Sequence, residues 1–370
     1  MSPRSPRFPQ LACVNVGATG SAAAPSGRAY IGSVSDDPYD IRTRLVVRRT
    51  PGRYAFIGTE LVALASSNSD PEYLALINGG PTRGLNERGL AFTWTLAGEK
   101  ADHRAPEGAL SPARFWETVA ESCASVDEAL ALMPTLQRDF SGSLMLADRD
   151  GNLALVEAGR QVFHVRERYS RERGGAAVNV NCWLAMQEQA GDPICALDNP
   201  AVPNQSRFGR ACELLAQLGH RLDLEGMRRI LTDHANCERF AGENPWIPGH
   251  GYSICNHGSL RPVQLDLAHL GWGSVSAEII DPVTGVFWYA YGWPCGEPPT
   301  HADQLLQERS WGTFIGFPLD GLPAGEYTTI TGELTPLAAR QVGRLRPWGA
   351  AGEHASQPEP ALAGRQATRL

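Results

Sequence analysis

Leu11–Asp36, LACVNVGATGSAAAPSGRAYIGSVSD, decides how the rest of the chain is read. Cys13, Val14, Asn15 and Val16 alternate as in a strand. Gly17 to Gly27 is rich in small residues and forms a turn, and Arg28 to Ser35 returns as a second strand. The hairpin therefore places a cysteine at the head of its first strand. If the Ala12–Cys13 peptide bond were cut, one residue would carry both a thiol and a free α-amine. Such an amine, with a reference pKa of about 7.7–8.0, can take the thiol proton without any histidine. Two plainer readings stand beside this one. A small cysteine flanked by apolar residues often just packs in a core. Leu11-Ala12-Cys13 also has the look of a lipidation site, but Met1 to Gln10 (MSPRSPRFPQ) offers no apolar run to precede one.

Composition narrows the possibilities. The 370 residues are 42% hydrophobic, ample for a large core, and the net charge of -7 gives no basic stripe. No nucleic acid and no membrane partner is expected, and the absence of a long apolar run or signal peptide points to the cytoplasm. The eight cysteines are scattered with no CxxC pair, so reduced thiols are expected. His234, Cys237, Cys255 and His257 could offer two nitrogens and two sulfurs, but HxxC and CxH are not the spacings of a common zinc finger. Neither a metal nor a cofactor is expected.

Along the chain, three prolines and two arginines make residues 1–12 an extended leader. Strands are expected at Thr43–Arg49, Tyr54–Ile57 and Glu72–Ile77, and across a tight turn at Asn86–Gly89 whose following Leu90, Phe92 and Trp94 alternate. Ser111–Met133 changes to helical spacing, with a second N-cap at Ser125. Ser143–Glu157 is a hairpin turning at Asp148–Gly151, followed by strands at Gln161–Arg166 and Ala176–Trp183. Asn179 and Asn181 share one face of the last. Helices follow at Ser206–Leu218, with Ser206 as N-cap, and at Leu222–Cys237; then strands at Ser274–Ile280, Val286–Tyr291 and Thr313–Pro318, and a helix from Pro336 to Leu345. One domain over 13–345 is expected, with a disordered tail over 346–370. Antiparallel hairpins with helices in separate blocks mean an α+β protein with helices layered on sheets. Gly17-Ala18-Thr19-Gly20 lacks the dinucleotide spacing, and there is no GxSxG, GxxxxGK[ST] or HExxH.

Several segments, in order, resemble the N-terminal-nucleophile linear-amide hydrolases, and most of all the isopenicillin N acyltransferase type, relatives of the choloylglycine hydrolases. They are Cys13 with Gly32–Asp36; Gly84-Leu85-Asn86-Glu87-Arg88-Gly89-Leu90; Val180-Asn181-Cys182-Trp183; Ser206-Arg207-Phe208; Asp233-His234-Ala235-Asn236; Ser253-Ile254-Cys255-Asn256-His257; and Trp288–Cys295. The resemblance implies a four-layer αββα sandwich of antiparallel sheets. It also implies four catalytic residues. Cys13 is the nucleophile, Asp36 holds its α-amine, Asn181 donates to the oxyanion, and Arg207 sits beside the thiol and fixes Asp36. The implied activity is an autoprocessing amide hydrolase or acyltransferase working through an acyl-thioester on a small-molecule amide substrate, with an acyl-thioester or amine acceptor as a further partner and a homo-oligomer as the assembly. A dipeptidase-like hydrolase and an inactive binding descendant are the alternatives. The pattern departs from the family at Val14 for threonine, at Ser33-Val34 for Arg-Asn, at Cys182 for histidine and at Thr95 for asparagine. Ser33 thus reads as the loss of an arginine beside the nucleophile.

Overall fold

The computed structural model describes residues 13–38, 40–64, 74, 80–100, 103–189, 203–236, 252–257, 272–296 and 310–348. The strands are β1 (Val14–Thr19), β2 (Tyr30–Pro38), β3 (Ile41–Arg48), β4 (Phe56–Ala63), β5 (Pro81–Asn86), β6 (Ala91–Leu96), β7 (Gly142–Ala147), β8 (Leu153–Ala158), β9 (Phe163–Tyr169), β10 (Gly175–Val180), β11 (Trp272–Asp281), β12 (Val286–Tyr291), β13 (Ile315–Pro318), β14 (Gly325–Glu326) and β15 (Arg346–Pro347). The α-helices described here are α1 (Pro112–Ser122), α2 (Val126–Leu132), α3 (Pro203–Gln217), α4 (Leu224–Leu231) and α5 (Pro336–Arg340).

Two sheets contain all of these strands. One runs β10-β1-β2-β11-β12-β13-β15 and the other β14-β3-β4-β5-β6-β7-β8-β9, and their pairings are antiparallel throughout. Period-two alternation gives each sheet two buried faces. Val14, Val16 and Val34 turn one way and pack under Leu214, Met227 and Ile230 of α3 and α4. Ile31, Ile280 and Phe287 turn the other way and meet Leu45, Ile57, Leu85 and Met145 of the second sheet. The outer face of that second sheet carries Phe92 and Leu146, covered by Phe115, Trp116 and Val119 of α1. Helix, sheet, sheet and helix stack in that order, the four-layer αββα sandwich that the resemblance implies.

Local chemistry sets the turns and caps. Asn86 accepts from the backbone N–H groups of Arg88 and Leu90 at 3.0 and 2.9 Å, and Gly89 takes the left-handed φ of 87° that closes the turn. Ser111 and Ser125 cap α1 and α2 through Arg114 N–H and Glu128 N–H.

Some expectations shift. Helix α3 begins at Pro203, so Ser206 is not its cap; it lies inside the helix and its hydroxyl donates to the Tyr252 carbonyl at 3.2 Å. Helix α4 is shorter than Leu222–Cys237 and starts after Asp223, which accepts from Gly226 N–H. The strand expected at Glu72–Ile77 lies outside the described residues except for Leu74, which is helical. The tail expected over 346–370 opens with a strand instead, since Arg346 and Pro347 pair with Gly316 and Ile315; from 349 onward it lies outside the described residues. Cys182 is disulfide-bonded, against the expectation of reduced thiols, because sequence spacing alone does not record which sulfurs meet in the fold. Cys13, Cys123, Cys212, Cys255 and Cys295 are in no disulfide.

Candidate active site

The space between the sheets divides into two parts. One is apolar, as described above; the other is polar, and the same alternation generates it. On β2, Ile31 faces the apolar part, and Ser33 and Ser35 continue its row. On β1, Gly17 faces Met145 and Leu153 of the second sheet, so Asn15 and Cys13 continue toward the polar part. Across the gap the rows from Leu85, Ala91 and Met145 continue as Arg83, Thr93 and Ser143. All of these side chains are buried, and Cys13 itself is 6% exposed.

The β1–β10 register pairs Val14 with Val180, and the β1–β2 register pairs Val14 with Val34. Cys13 immediately precedes Val14, Asn181 immediately follows Val180 in a tight turn where Cys182 N–H donates to the Val180 carbonyl at 2.7 Å, and Cys13 Sγ lies 3.9 Å from the Asp36 carbonyl. Asp36 follows the opposite alternation and turns toward the helix layer. Its carboxylate accepts from Ser274 Oγ at 2.7 Å and Asn256 Nδ2 at 3.2 Å. Arg207, on α3, is buried beside it and interacts electrostatically with both Asp36 and Cys13. Arg207 Nη2 donates to Asn204 Oδ1 at 2.6 Å. The fold thus gathers Cys13, Asp36 and Arg207, and Asn181 lies just past the end of β10, which pairs with β1. Asn181 Nδ2 donates to the Leu96 carbonyl at 2.8 Å, which leaves its second amide hydrogen for another acceptor.

Burial raises the energy of every charge here. It pushes the Cys13 thiol up to about 11, with Arg83 pulling down and Asp37 and Asp36 adding to the rise. It lifts Asp36 to about 7 against the pull of Arg207, Ser274 and Asn256. It lowers Arg207 to about 10 against the attraction of Asp36 and Cys13. At neutral pH the thiol is protonated and Asp36 is close to half ionised.

Arg83 is the neighbour of Cys13 that the sequence reading missed. It reaches from β5 across the gap, and its Nη2 donates to Cys13 Sγ at 3.6 Å. Its Nε donates to Ser33 Oγ at 2.7 Å and lies 3.4 Å from Glu278 Oε2. Ser33 is the position where the family pattern has arginine, so the guanidinium comes from the opposite sheet and is received by the hydroxyl. The reading of a lost arginine is corrected by that geometry. A readable signal existed: Arg83 shares the face of Leu85, and a cation on a core-facing strand position requires a buried counter-charge. Asn15 is a second omission. It pairs with Asn179 across the ladder, both are buried, and neither side chain has a hydrogen-bond partner among the described residues.

The model of the family AAT, acyl-coenzyme A:6-aminopenicillanic acid acyl-transferase, matches residues 40–244, more than half of the chain. The chain belongs to this family. Within this acyl-transferase family member the matched span includes Arg83, Asn181 and Arg207, while Cys13 and Asp36 precede it. No curated protein sequence matches the chain. Among solved structures it is similar to a mutant form of conjugated bile acid hydrolase from Clostridium perfringens, at 12% identity over 86% of this chain and 98% of that one, with a TM-score of 0.46. It is also similar to penicillin V acylase from Agrobacterium tumefaciens, at 15% identity over 84% and 92% with a TM-score of 0.44. A Caenorhabditis elegans ortholog of N-acylethanolamine-hydrolyzing acid amidase matches at 16% identity over 73% and 93%, with a TM-score of 0.39.

Proposed function

We propose that this chain is an autoprocessing amide hydrolase or acyltransferase that carries its acyl group as a thioester on Cys13. The observation that carries the reading is the convergence on one sulfur. Arg83 approaches it from the opposite sheet at 3.6 Å, the Asp36 carbonyl lies 3.9 Å from it, and Arg207 acts on it electrostatically from the helix side. A thiol used only for packing has no need of two buried guanidinium groups.

The first step is cleavage of the chain itself. The Cys13 thiol attacks the Ala12 carbonyl carbon, the C–N bond to Cys13 breaks, and the acyl group passes from nitrogen to sulfur. Water then hydrolyses the thioester, releasing residues 1–12 with a new carboxylate and leaving Cys13 with a free α-amine. The thiol is held toward Asp36 by its contact with the Asp36 backbone carbonyl at 3.9 Å, and Asp36 supplies the carboxyl group on that side of the site. Once the amine is free it acts as base, and the carboxylate of Asp36 fixes it as an ammonium when protonated.

In turnover the thiolate adds to a substrate amide carbonyl. Arg83 stabilises the developing sulfur charge and the free hydrogen of the Asn181 amide meets the oxyanion. The substrate amine departs with the proton held by the Cys13 amine, and water or a second amine resolves the thioester. Asn15 and Asn179, buried with unanswered donors and acceptors, are suited to bind polar groups of the substrate.

Intact mass of the purified chain tests the reading. Loss of residues 1–12 in the wild type and their retention in Cys13→Ala is the expected pair of results, together with amine release from a panel of N-acyl amines and dipeptides by the wild type alone. A processed, active Cys13→Ala chain would refute the assignment.

A further inference from the structure

Behind Asp36, away from the polar gap, lies a second cluster that the acyl-transfer chemistry does not use. His234 follows α4, Cys255 and His257 lie on the segment 252–257, and Cys295 lies beyond β12. His257 Nε2 is 3.0 Å from Cys295 Sγ, and the ligand atoms of His234, His257 and Cys295 all fall within 4.8 Å of one another. Cys255 is fully buried and hydrogen-bonded to Cys295. We propose that His234, His257 and Cys295, completed by Cys255, form a structural zinc site.

The donor set selects the ion. Two imidazoles and two thiolates suit zinc, whose Zn–N and Zn–S bonds of about 2.0–2.1 and about 2.3 Å put tetrahedral ligands about 3.3–3.8 Å apart. His257 Nε2 and Cys295 Sγ are 3.0 Å apart and the ligand atoms of His234, His257 and Cys295 lie within 4.8 Å of one another, so these three are already gathered on the scale of a zinc site. The backbone is already fixed. Arg210 grips Asp233 with Nε and Nη2 at 2.9 and 2.7 Å, Cys255 N–H donates to the Asp233 carbonyl at 2.8 Å, and Ser253 Oγ donates to the His234 carbonyl at 3.1 Å. The His257 ring stacks on buried Trp293 with centroids 4.5 Å apart. Binding takes up both thiols as thiolates and releases their protons to solvent, while the imidazoles bind neutral.

The set differs from the one the sequence spacing suggested. Cys237 lies outside the described residues, and Cys295 enters from beyond the end of β12, where no local motif points to it. The site also has a consequence for catalysis. Asn256, between two of the ligands, is the residue that donates to Asp36 at 3.2 Å. A metal here would hold that donor in place. The inference does not depend on Cys13 being the nucleophile, since the ligands and Cys13 are separate groups.

The test is metal analysis of the full chain purified without chelator. Stoichiometric zinc in the wild type and in Cys123→Ser, and its loss in Cys295→Ser and in His257→Ala, is the expected result. Because those variants could fail to fold, the wild type is also stripped with chelator, reduced and titrated with zinc alone against a chromophoric competitor. Saturable uptake at one site, with Cys255 and Cys295 protected from alkylation when zinc is present, supports the proposal. Cobalt exchange should give a thiolate-to-metal charge-transfer band. The proposal is overturned if the reduced wild type takes up no zinc, if uptake leaves both thiols open to alkylation, or if folded Cys295→Ser binds zinc as the wild type does.

Discussion

Replacing Arg83 by methionine separates two roles that the structure gives to one guanidinium. The first is structural, because Arg83 is paired with Glu278 and both are buried. Removing one member of a buried ion pair leaves an uncompensated charge, which costs about 3–5 kcal/mol. Arg83→Met should therefore lose that much stability in urea unfolding. The double variant Arg83→Met/Glu278→Gln should recover most of it, because Ser276 Oγ, 2.7 Å from Glu278 Oε1, can donate to an amide oxygen as well. The second role is electrostatic. A full charge 3.6 Å from a thiolate is worth about 4–5 kcal/mol at an effective dielectric of about 20. At about 1.36 kcal/mol per unit this bounds the effect near ~3 pKa units. Cys13 already sits at about 11 in the presence of Arg83, so its loss should push the thiol higher still. The assay is alkylation of Cys13 against pH, followed by peptide mapping, with release of residues 1–12 timed by intact mass. The double variant should be nearly as stable as the wild type, yet show Cys13 alkylation slowed about 10-fold to about 1000-fold at fixed pH. Processing should slow with it. A stable double variant with an unchanged alkylation midpoint and wild-type processing would show that Arg83 serves only its partner Glu278.

Asp36 predicts a pH signature. Its folded-state carboxyl is raised from 3.8 to about 7, so between those values the folded chain keeps a proton that the unfolded chain has released, and stability falls as pH rises through that window. The total is on the order of 4 kcal/mol, and in a Cys13→Ala background, which keeps the N-terminus uncut, adding Asp36→Asn should remove that slope; an unaltered slope would locate the titration elsewhere. Glu157 accepts from the backbone N–H groups of Leu184, Ala185 and Met186 at 2.6 to 3.1 Å, just beyond Asn181. Glu157→Gln should cost about 2–3 kcal/mol in urea unfolding, and a change below about 0.5 kcal/mol, the range of an ordinary surface substitution, would count against this anchoring. Asn179→Leu should leave stability unchanged or raised by about 1 kcal/mol while raising KM for the amide substrate. Destabilisation with an unchanged KM would make Asn179 a structural residue.

What could be read in the chain and what could not divide along a physical line. Turns and caps were legible because their chemistry is local: Asp148 accepts from Asp150 N–H and Asn152 N–H within one hairpin, and Gly151 supplies the left-handed φ of 88° beside it. Alternation along β1 and β2 was legible for the same reason, whereas Asp36, Asn181 and Arg207 came from the resemblance and not from any local pattern. The start of α3 was not, because Ser206 has the composition of a cap but spends its hydroxyl on Tyr252, far along the chain. The arginine shows the limit most clearly. In sequence, Ser33 and Arg83 are fifty positions apart and each looks unremarkable; in the fold, a hydroxyl on one sheet receives a guanidinium from the other. Gly84, next to Arg83, has Phe92 where a Cβ would stand, at 2.5 Å, on the outer face, and alternation sends Arg83 to the other side, into the gap. A site that needs a cation beside sulfur can draw it from either wall, provided the facing residue is small and polar enough to admit it. Arginine at position 33 alongside Arg83 would bring a second buried cation into a gap whose carboxylates, Glu278 and Asp37, already act on Arg83.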